Sequence, residues 1–262
     1  MNGEGVVELD YNKLLSLTAE MGLCLMESGA ETYRVEESMH RLLSAYGVAG
    51  EVFAIPNCII ATLTSPERRP LTQIRRVPAH GTDIDQLERY NDLCRRLCRE
   101  APELDAALEQ VAQIGRERRS YPLYIRLAGY FLGCGMFSLF YGGTLRDGLC
   151  GGVCGVAIGL CLALTGAFGA NLFFKTVAGA AVSALTALLL TAAGLGQSLD
   201  KIIIGALMAL VPGIAITNAM RDIMAGDMVS GISKGAEALL IGAAIALGTA
   251  IALGLAALTA GG

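Results

Sequence analysis

Charged side chains recur at helical spacing near the start of the chain, in ESGAETYRVEESMHRLLSAYG, residues 27–47. Glu27, Glu31 and Arg34 are spaced i, i+4 and i+7, so they share one face of a helix. Two carboxylates beside a guanidinium could act as a general acid and base, or could form ion pairs with another surface. We favour the second interpretation and predict a cytoplasmic gating or docking element. Its residues are Ser28, Gly29, Glu31, Arg34 and Glu36.

A second polar stretch, VPGIAITNAMRDIMAGDMVSGISKGAE, lies at residues 211–237 between strongly apolar sequences. Its Pro-Gly pair weakens the hydrogen-bond ladder of a helix, and interrupted membrane helices expose polar groups along a solute path. The guanidinium could bind a carboxylate, and the aspartates could bind an ammonium group or carry a proton. The alternative is an ordinary polar loop between two helices. The candidate path residues are Pro212, Gly213, Thr217, Asn218, Arg221, Asp222 and Asp227.

Several chemistries leave no signature in the chain. There is no phosphate-binding glycine loop, no GxSxG, no HExxH and no CxxC. Eight cysteines are present, but neither histidine neighbours a cysteine pair, so we predict apolar packing thiols rather than a metal site. The net charge of −4 comes without a basic stripe, which argues against nucleic acid. We predict no enzyme activity, no cofactor and no metal.

The charges divide the chain into two unlike parts. Only five of the 24 acidic residues follow residue 122, and long charge-free runs separate the remaining charges. Because about 20 apolar residues span a bilayer as a helix, these runs predict five transmembrane helices. The predicted spans are 123–142, 149–168, 174–194, 202–219 and 236–259. The fold prediction is mixed: a small cytoplasmic α+β domain, 1–119, followed by an all-α membrane bundle of about five transmembrane helices, 120–262.

The first domain shows alternating helical and strand patterns. Helices are predicted at 10–27, 29–46, 83–99 and 102–117, and strands at 51–64, broken at Pro56-Asn57, and at 71–77. Ser28 with Glu31 fits a capping box for the second helix, Gly29 fits a break before it, and Gly47 fits its end.

The membrane part carries signals for packing and orientation. Glycine pairs in the first two spans, among them Gly129 with Gly133, predict close helix packing; a contact face for a second subunit stays open as the alternative. Asn171 is expected to cap the third span, and Asp147 to form a solvated pair with Arg146. The acidic start lacks a signal peptide pattern, and arginines precede the first span. We therefore expect a cytoplasmic N-terminus and an extracytoplasmic C-terminus.

Both polar stretches resemble signatures of the threonine/serine exporter family. The first is ESGAETYRVEESMHRLLSAYG, and the second is LVPGIAITNAMRDIMAGDMVSGISKGAEALL. The order of the parts, a soluble domain followed by about five spans, is also similar. The resemblance implies a multi-pass secondary exporter of small polar metabolites in the bacterial inner membrane. Threonine, serine or a dicarboxylate such as succinate would be the substrate, and the proton motive force would drive export.

Single-chain members of that family carry about ten spans, whereas this sequence has five. The chain therefore resembles the larger subunit of a split, two-protein exporter, which implies a separate small membrane subunit and a homo- or hetero-oligomer. Two alternatives stay open: a membrane-anchored enzyme that acts through its N-terminal domain, and a regulatory or assembly subunit.

Overall fold

The computed structural model describes residues 9–78, 81–118 and 121–260, with residues 259 and 260 described by backbone alone. The chain folds into two compact units, and the first is discontinuous. In the described ranges the first unit contains 9–118 and 217–235, and the second contains 121–216 and 236–260. The predicted boundary at 119/120 lies outside the described residues and stays a prediction. That prediction did not include the return of 217–235 to the first unit.

The first unit begins with two helices, α1 (Tyr11–Glu27) and α2 (Thr32–Ala45). Gly29 has φ +97° and Gly47 has φ +72°, so both glycines occupy the left-handed region that other residues rarely adopt. The predicted break at Gly29 and the predicted helix end at Gly47 are confirmed.

The predicted capping box of Ser28 and Glu31 is wrong. The Ser28 hydroxyl donates to the carbonyl of Cys24 at 2.7 Å, which closes α1 rather than opening α2. Glu31 is itself the N-cap residue of α2, and its side chain makes no bond to the helix amides. The serine bonds backwards because Gly29 turns the chain before α2 begins.

Three antiparallel strands follow in the order β1 (Gly50–Ile55), β2 (Cys58–Thr64) and β3 (Pro70–Arg76). Pro56 and Asn57 form the tight turn between the first two, as the break in the pattern predicted. Ile59, Ala61 and Leu63 of the central strand point into the core because alternate residues of a strand share a face.

Two further helices, α3 (Ile84–Glu100) and α4 (Leu104–Arg116), complete the N-terminal part of this unit. They pack against α1 and against each other, and α3 also packs on α2. The large side chains that are fully buried here include Leu14, Met21, Met39, Leu93 and Leu97.

The rest of the chain is helical. The helices are α5 (Leu123–Phe140), α6 (Leu145–Ala167), α7 (Leu172–Ala192), α8 (Leu199–Leu207), α9 (Gly213–Met224) and α10 (Met228–Ala260). Four of the described helices, α5, α6, α7 and α10, are long and apolar enough to cross a membrane.

The last two predicted spans differ from the structure. The fourth, 202–219, is not one helix: α8 ends at Leu207 and α9 starts at Gly213. Pro212 lacks an amide donor, so a continuous ladder through this point is unfavourable. The fifth, predicted at 236–259, begins earlier, because α10 already starts at Met228 and leaves a turn of only three residues after α9.

Glycines let α5 and α6 approach closely in the second unit. A Cβ added to Gly155 would lie 2.5 Å from the Tyr130 carbonyl oxygen, and one added to Gly152 would lie 2.9 Å from that of Phe131. The predicted close packing is therefore confirmed for these α6 glycines. Gly129 and Gly133 on α5 differ, because a Cβ at either would meet no described atom within 4 Å.

Asp147 is fully buried, so its predicted solvated pair with Arg146 is wrong. Its carboxylate accepts hydrogen bonds from the Thr144 amide and hydroxyl, both at 2.8 Å, and forms a capping box at the start of α6. The other oxygen accepts the amides of Gln197 (2.6 Å) and Ser198 (3.0 Å), which join α7 to α8. The predicted cap of α7 is confirmed, since Asn171 accepts the Phe174 amide at 3.0 Å.

Candidate functional site

The two polar stretches contact each other inside the first unit. Four hydrogen bonds connect the α1–α2 turn and the start of α2 with α9 and α10, over sequence separations of 189 to 202 residues. A fifth bond lies within the second stretch and holds a lysine against an aspartate. We call this group the inter-motif cluster; it contains Gly29, Glu31, Thr32, Asn218, Arg221, Asp222 and Lys234.

An ion pair forms the outer side of the inter-motif cluster. Arg221 donates from Nη1 to Oε1 of Glu31 at 2.6 Å, and the Arg34 Nε lies 3.7 Å from the other oxygen. The Glu31 side chain is 9% exposed, whereas that of Arg221 is 56% exposed. Burial alone would raise the pKa of Glu31, but the hydrogen bond from Arg221, the backbone amide and the two positive charges outweigh it. The pKa of Glu31 therefore lies below the ordinary glutamate value of 4.5.

A second ion pair lies at the centre of the inter-motif cluster. Asp222 is fully buried; its Oδ2 accepts from the Lys234 Nζ at 2.8 Å, and its Oδ1 accepts from the Thr32 amide at 3.3 Å. The same lysine nitrogen donates to the Thr32 hydroxyl at 3.2 Å. A buried carboxylate is tolerated when a cation and further donors compensate it. Both oxygens of Asp222 have such partners.

Local structure explains why these groups meet. Thr32 is the first residue of α2, so its amide has no acceptor within the helix. Asp222 supplies one, and its negative charge lies at the positive end of the helix dipole. Asn218, Arg221 and Asp222 are spaced i, i+3 and i+4 on α9, so they face the turn together; the Asn218 amide donates to the Gly29 carbonyl at 3.2 Å.

The turn between α9 and α10 brings Lys234 back toward Asp222. Gly226 has φ +95° in this turn, and Asp227 caps α10 by accepting the Ser230 amide at 3.1 Å. Gly231 permits the close approach: a Cβ there would lie 2.4 Å from Cγ1 of Ile223 and 2.9 Å from the Ala219 oxygen.

The structure thus brings together five of the residues singled out from the sequence: Gly29, Glu31, Asn218, Arg221 and Asp222. Arg34 lies at their exposed edge. Ser28 and Asp227 have the local roles at helix ends described above. Glu36 accepts the Ala54 amide at 2.7 Å and so ties α2 to β1. Burial and the charge of Asp227 raise the pKa of Glu36 above the ordinary glutamate value, although the hydrogen bond from the Ala54 amide acts in the opposite direction.

Three predicted path residues lie elsewhere. Pro212 and Gly213 belong to the second unit, at the start of α9, and the Pro212 carbonyl accepts the Ile216 amide. Thr217 is the first residue of α9 that belongs to the first unit.

Two members of the inter-motif cluster were missed from the sequence, Thr32 and Lys234. The lysine lies on α10, twelve residues after Asp222, and no local pattern in the sequence pairs the two. The threonine carried no signal, because its role depends on an aspartate 190 residues away. Ser230, which was not among the predicted path residues, is buried, and its hydroxyl has no hydrogen-bond partner within the described residues.

The chemistry available here is ion pairing and proton exchange between two carboxylates, a guanidinium and an ammonium. Across the described ranges, no three His, Cys, Asp or Glu side chains are grouped so that they could hold a metal ion. All eight cysteines are free thiols.

Comparison with known proteins identifies the family of the chain. The family model described as "Putative threonine/serine exporter" matches residues 16–256. The chain belongs to the threonine/serine exporter family. A curated relative from Mycobacterium tuberculosis (strain ATCC 25618 / H37Rv), named "Probable threonine/serine exporter", is 26% identical over 248 residues. The aligned region covers 92% of this chain and 46% of the relative, so the chain spans about half the length of that protein. No solved structure matches.

The family and the four apolar helices make this chain a bacterial membrane protein. Both polar stretches of this threonine/serine exporter family member lie within the matched range, and the inter-motif cluster joins them.

Proposed function

We propose that the chain is a subunit of a secondary-active inner-membrane exporter of small polar metabolites. Threonine, serine or a dicarboxylate such as succinate would be the substrate, and the proton motive force would drive export. The observation that carries the proposal is the inter-motif cluster, in which a guanidinium and an ammonium are each held by a carboxylate of the protein.

Such pairs are exchangeable with a small charged solute. A substrate carboxylate competes with Glu31 for Arg221, whose side chain is more than half exposed. A substrate ammonium competes with Lys234 for Asp222, and the second carboxylate of a dicarboxylate competes with Asp222 for Lys234. Protonation of Glu31 weakens its hold on Arg221, which couples a proton to the release or capture of the solute. The ion pairs then act as a gate that the solute opens by exchange.

The path of the chain supports five crossings of the membrane. Helices α5, α6 and α7 cross three times, which leaves the chain opposite its start. Residues 217–235 nevertheless belong to the same compact unit as 9–118. We therefore propose a return crossing between α7 and residue 217, in the segment formed by α8, the break at 208–212 and the first turn of α9. Because nine residues of α8 rise only about 14 Å, the interrupted backbone would complete this crossing. Interrupted helices of this kind line solute paths in transporters.

A small membrane subunit would complete the exporter. Gly129 and Gly133 on α5 present a face that a second helix can approach closely, since no described atom occupies it. We propose this face as the partner contact, with the first unit in the cytoplasm and the C-terminus outside.

Inside-out vesicles from expressing bacteria test the proposal, because export then appears as uptake. Vesicles energised by a proton gradient should accumulate labelled threonine, serine or succinate, and a protonophore should abolish the uptake. Arg221→Gln and Asp222→Asn should lower it at least about tenfold. Arg41→Gln is the matched control, because it breaks an exposed 2.6 Å ion pair with Glu37 on α2. Equal uptake by vesicles without the chain would contradict the proposal. Uptake that needs only the small membrane subunit would favour a regulatory role for this chain.

A further inference from the structure

A pocket of about 580 Å³ opens on the first unit, away from the inter-motif cluster, between α1, β3, α3 and α4. Glu20 and Cys24 line it from α1, Arg75 from β3 and Tyr90 from α3. The α4 side of the pocket presents short or apolar groups, among them Leu108, Val111, Ala112 and Gly115. The pocket therefore has a charged end and an apolar wall.

The charged groups of the pocket differ in how closely they are paired. Asp105 is bound by Lys13 and Glu109 by Arg116, both at 2.8 Å, so these two carboxylates are already neutralised. Glu20 and Arg75 are different, because their closest charged atoms lie 3.9 Å apart, beyond hydrogen-bond distance.

Arg75 carries the decisive observation. Its Nε is buried and has no hydrogen-bond acceptor within the described residues. A buried donor without an acceptor costs about 1–3 kcal/mol, so such a group calls for an explanation, and a bound molecule nearby is one. The Arg75 side chain as a whole is 40% exposed, and the two terminal Nη groups of a guanidinium form a fork that fits the two oxygens of a carboxylate.

The opposite charge lies next to it. The Glu20 carboxylate is 41% exposed and lies on the same stretch of lining as Arg75. A molecule that placed a carboxylate on Arg75 would bring a neighbouring ammonium group close to Glu20. Gly115 keeps this space open, since even a Cβ at that position would lie 3.3 Å from the Tyr90 hydroxyl oxygen.

We propose that this pocket binds a small zwitterion, an α-amino acid with a short side chain, as a site separate from the exporter path. The carboxylate binds Arg75, the ammonium binds Glu20, and the aliphatic part packs on Leu108 and Val111 of α4. The proposal goes beyond the proposed function and does not depend on it, because the two sites share no residue.

Calorimetric titration of the purified full chain in detergent tests this site with three probes of increasing size, L-alanine, L-valine and L-glutamine. At least one should bind. For valine, removal of either charge should weaken binding at least about tenfold, since a hydrogen bond to a charged group contributes about 1.5–3 kcal/mol. The matching probes are isovalerate, which lacks the ammonium, and isobutylamine, which lacks the carboxylate. Isovalerate that binds as tightly as valine would overturn the zwitterion assignment.

Variants locate the binding. Arg75→Gln and Glu20→Gln should each weaken it at least about tenfold, and Gly115→Leu should block it by filling the pocket. Arg76→Gln is the control, because Arg76 is the next residue of β3 and is exposed. Binding should persist in Arg221→Gln, so that failure of the exporter proposal leaves this one standing. If no probe binds, or if both Arg75→Gln and Glu20→Gln bind like the unchanged chain, the proposal is wrong.

Discussion

Arg221 donates a 2.6 Å hydrogen bond to Glu31 across 190 positions of the chain, and this bond joins the two polar stretches that the sequence singled out. One partner follows the left-handed turn at Gly29, and the other lies on a short helix between two membrane segments. Residues 217–235, from α9 and α10, are thus an integral part of the first unit.

Removal of either charge of this pair should impair export. We expect Glu31→Gln and Arg221→Gln each to lower the free energy of unfolding by about 1–2 kcal/mol, since one partner is buried and the other is largely solvated. The double variant should lose less than the sum, with a coupling energy of about 1 kcal/mol. Denaturant titration in detergent measures the coupling, and vesicle uptake measures export. Additive losses of stability would show that the pair does not interact in solution.

Variants of Asp222 and Lys234 can show whether this ion pair is needed for folding, for export or for both. Asp222→Asn alone leaves a mostly buried ammonium without its counter-charge, which should destabilise the first unit by about 3–5 kcal/mol. Asp222→Asn combined with Lys234→Met removes both charges and should recover most of that loss. If the pair exchanges with substrate, the double variant should fold and still fail to accumulate substrate in vesicles. Recovery of both folding and uptake would reduce the pair to a structural role.

The sequence was sufficient for features that depend on local pattern. Hydropathy runs predicted α5, α6 and α7, and the break at Gly29 followed from glycine alone. The sequence was insufficient where a side chain can bond either to a neighbour in the chain or to a distant residue. Ser28 and Glu31 match a capping box, yet the serine bonds to Cys24 and the glutamate to Arg221. The spacing of nearby residues does not indicate that a cation from a distant part of the chain will bind the same carboxylate.

Asp147 illustrates the same limit in the membrane part. Because Asp147 follows Arg146 in a short loop, the sequence predicted a solvated ion pair. Its carboxylate instead accepts hydrogen bonds from two amides 50 and 51 positions away and is buried. The fourth predicted span shows the converse, because hydropathy does not register that Pro212 divides an apolar run into two helices.

Asp147→Ala should therefore destabilise the second unit strongly. It would remove the acceptor of three backbone amides, at about 1–3 kcal/mol for each that stays buried without a partner. Arg146→Gln, the exposed neighbour, should be within about 0.5 kcal/mol of the unchanged chain. Thermal unfolding in detergent compares the two, and equal melting temperatures would contradict the assigned role.

Two glycines of α10 form another matched pair. Gly231→Ala should be destabilising by about 1–3 kcal/mol, because its Cβ would meet Ile223 and the Ala219 carbonyl. Gly235→Ala should be neutral or stabilising by up to about 1 kcal/mol, since no described atom lies within 4 Å and alanine favours the helix. Melting temperatures that fall equally for both would show that α9 and α10 do not pack as described.

The two shifted glutamates predict opposite dependences on pH. The pKa of Glu31 is lowered in the folded state, so its ionised form stabilises the protein above pH 4.5, and this contribution is lost as the pH falls through the folded pKa. The melting-temperature difference between the unchanged chain and Glu31→Gln should therefore shrink below pH 4.5. The pKa of Glu36 is raised, so its contribution is complete below pH 4.5 and decreases as the pH rises through the folded pKa. Relative to Glu36→Gln, the unchanged chain should lose stability as the pH rises above 4.5. Melting curves in detergent from about pH 3 to 7 measure both trends, and trends of the same sign would contradict the electrostatic assignment of one of the two residues.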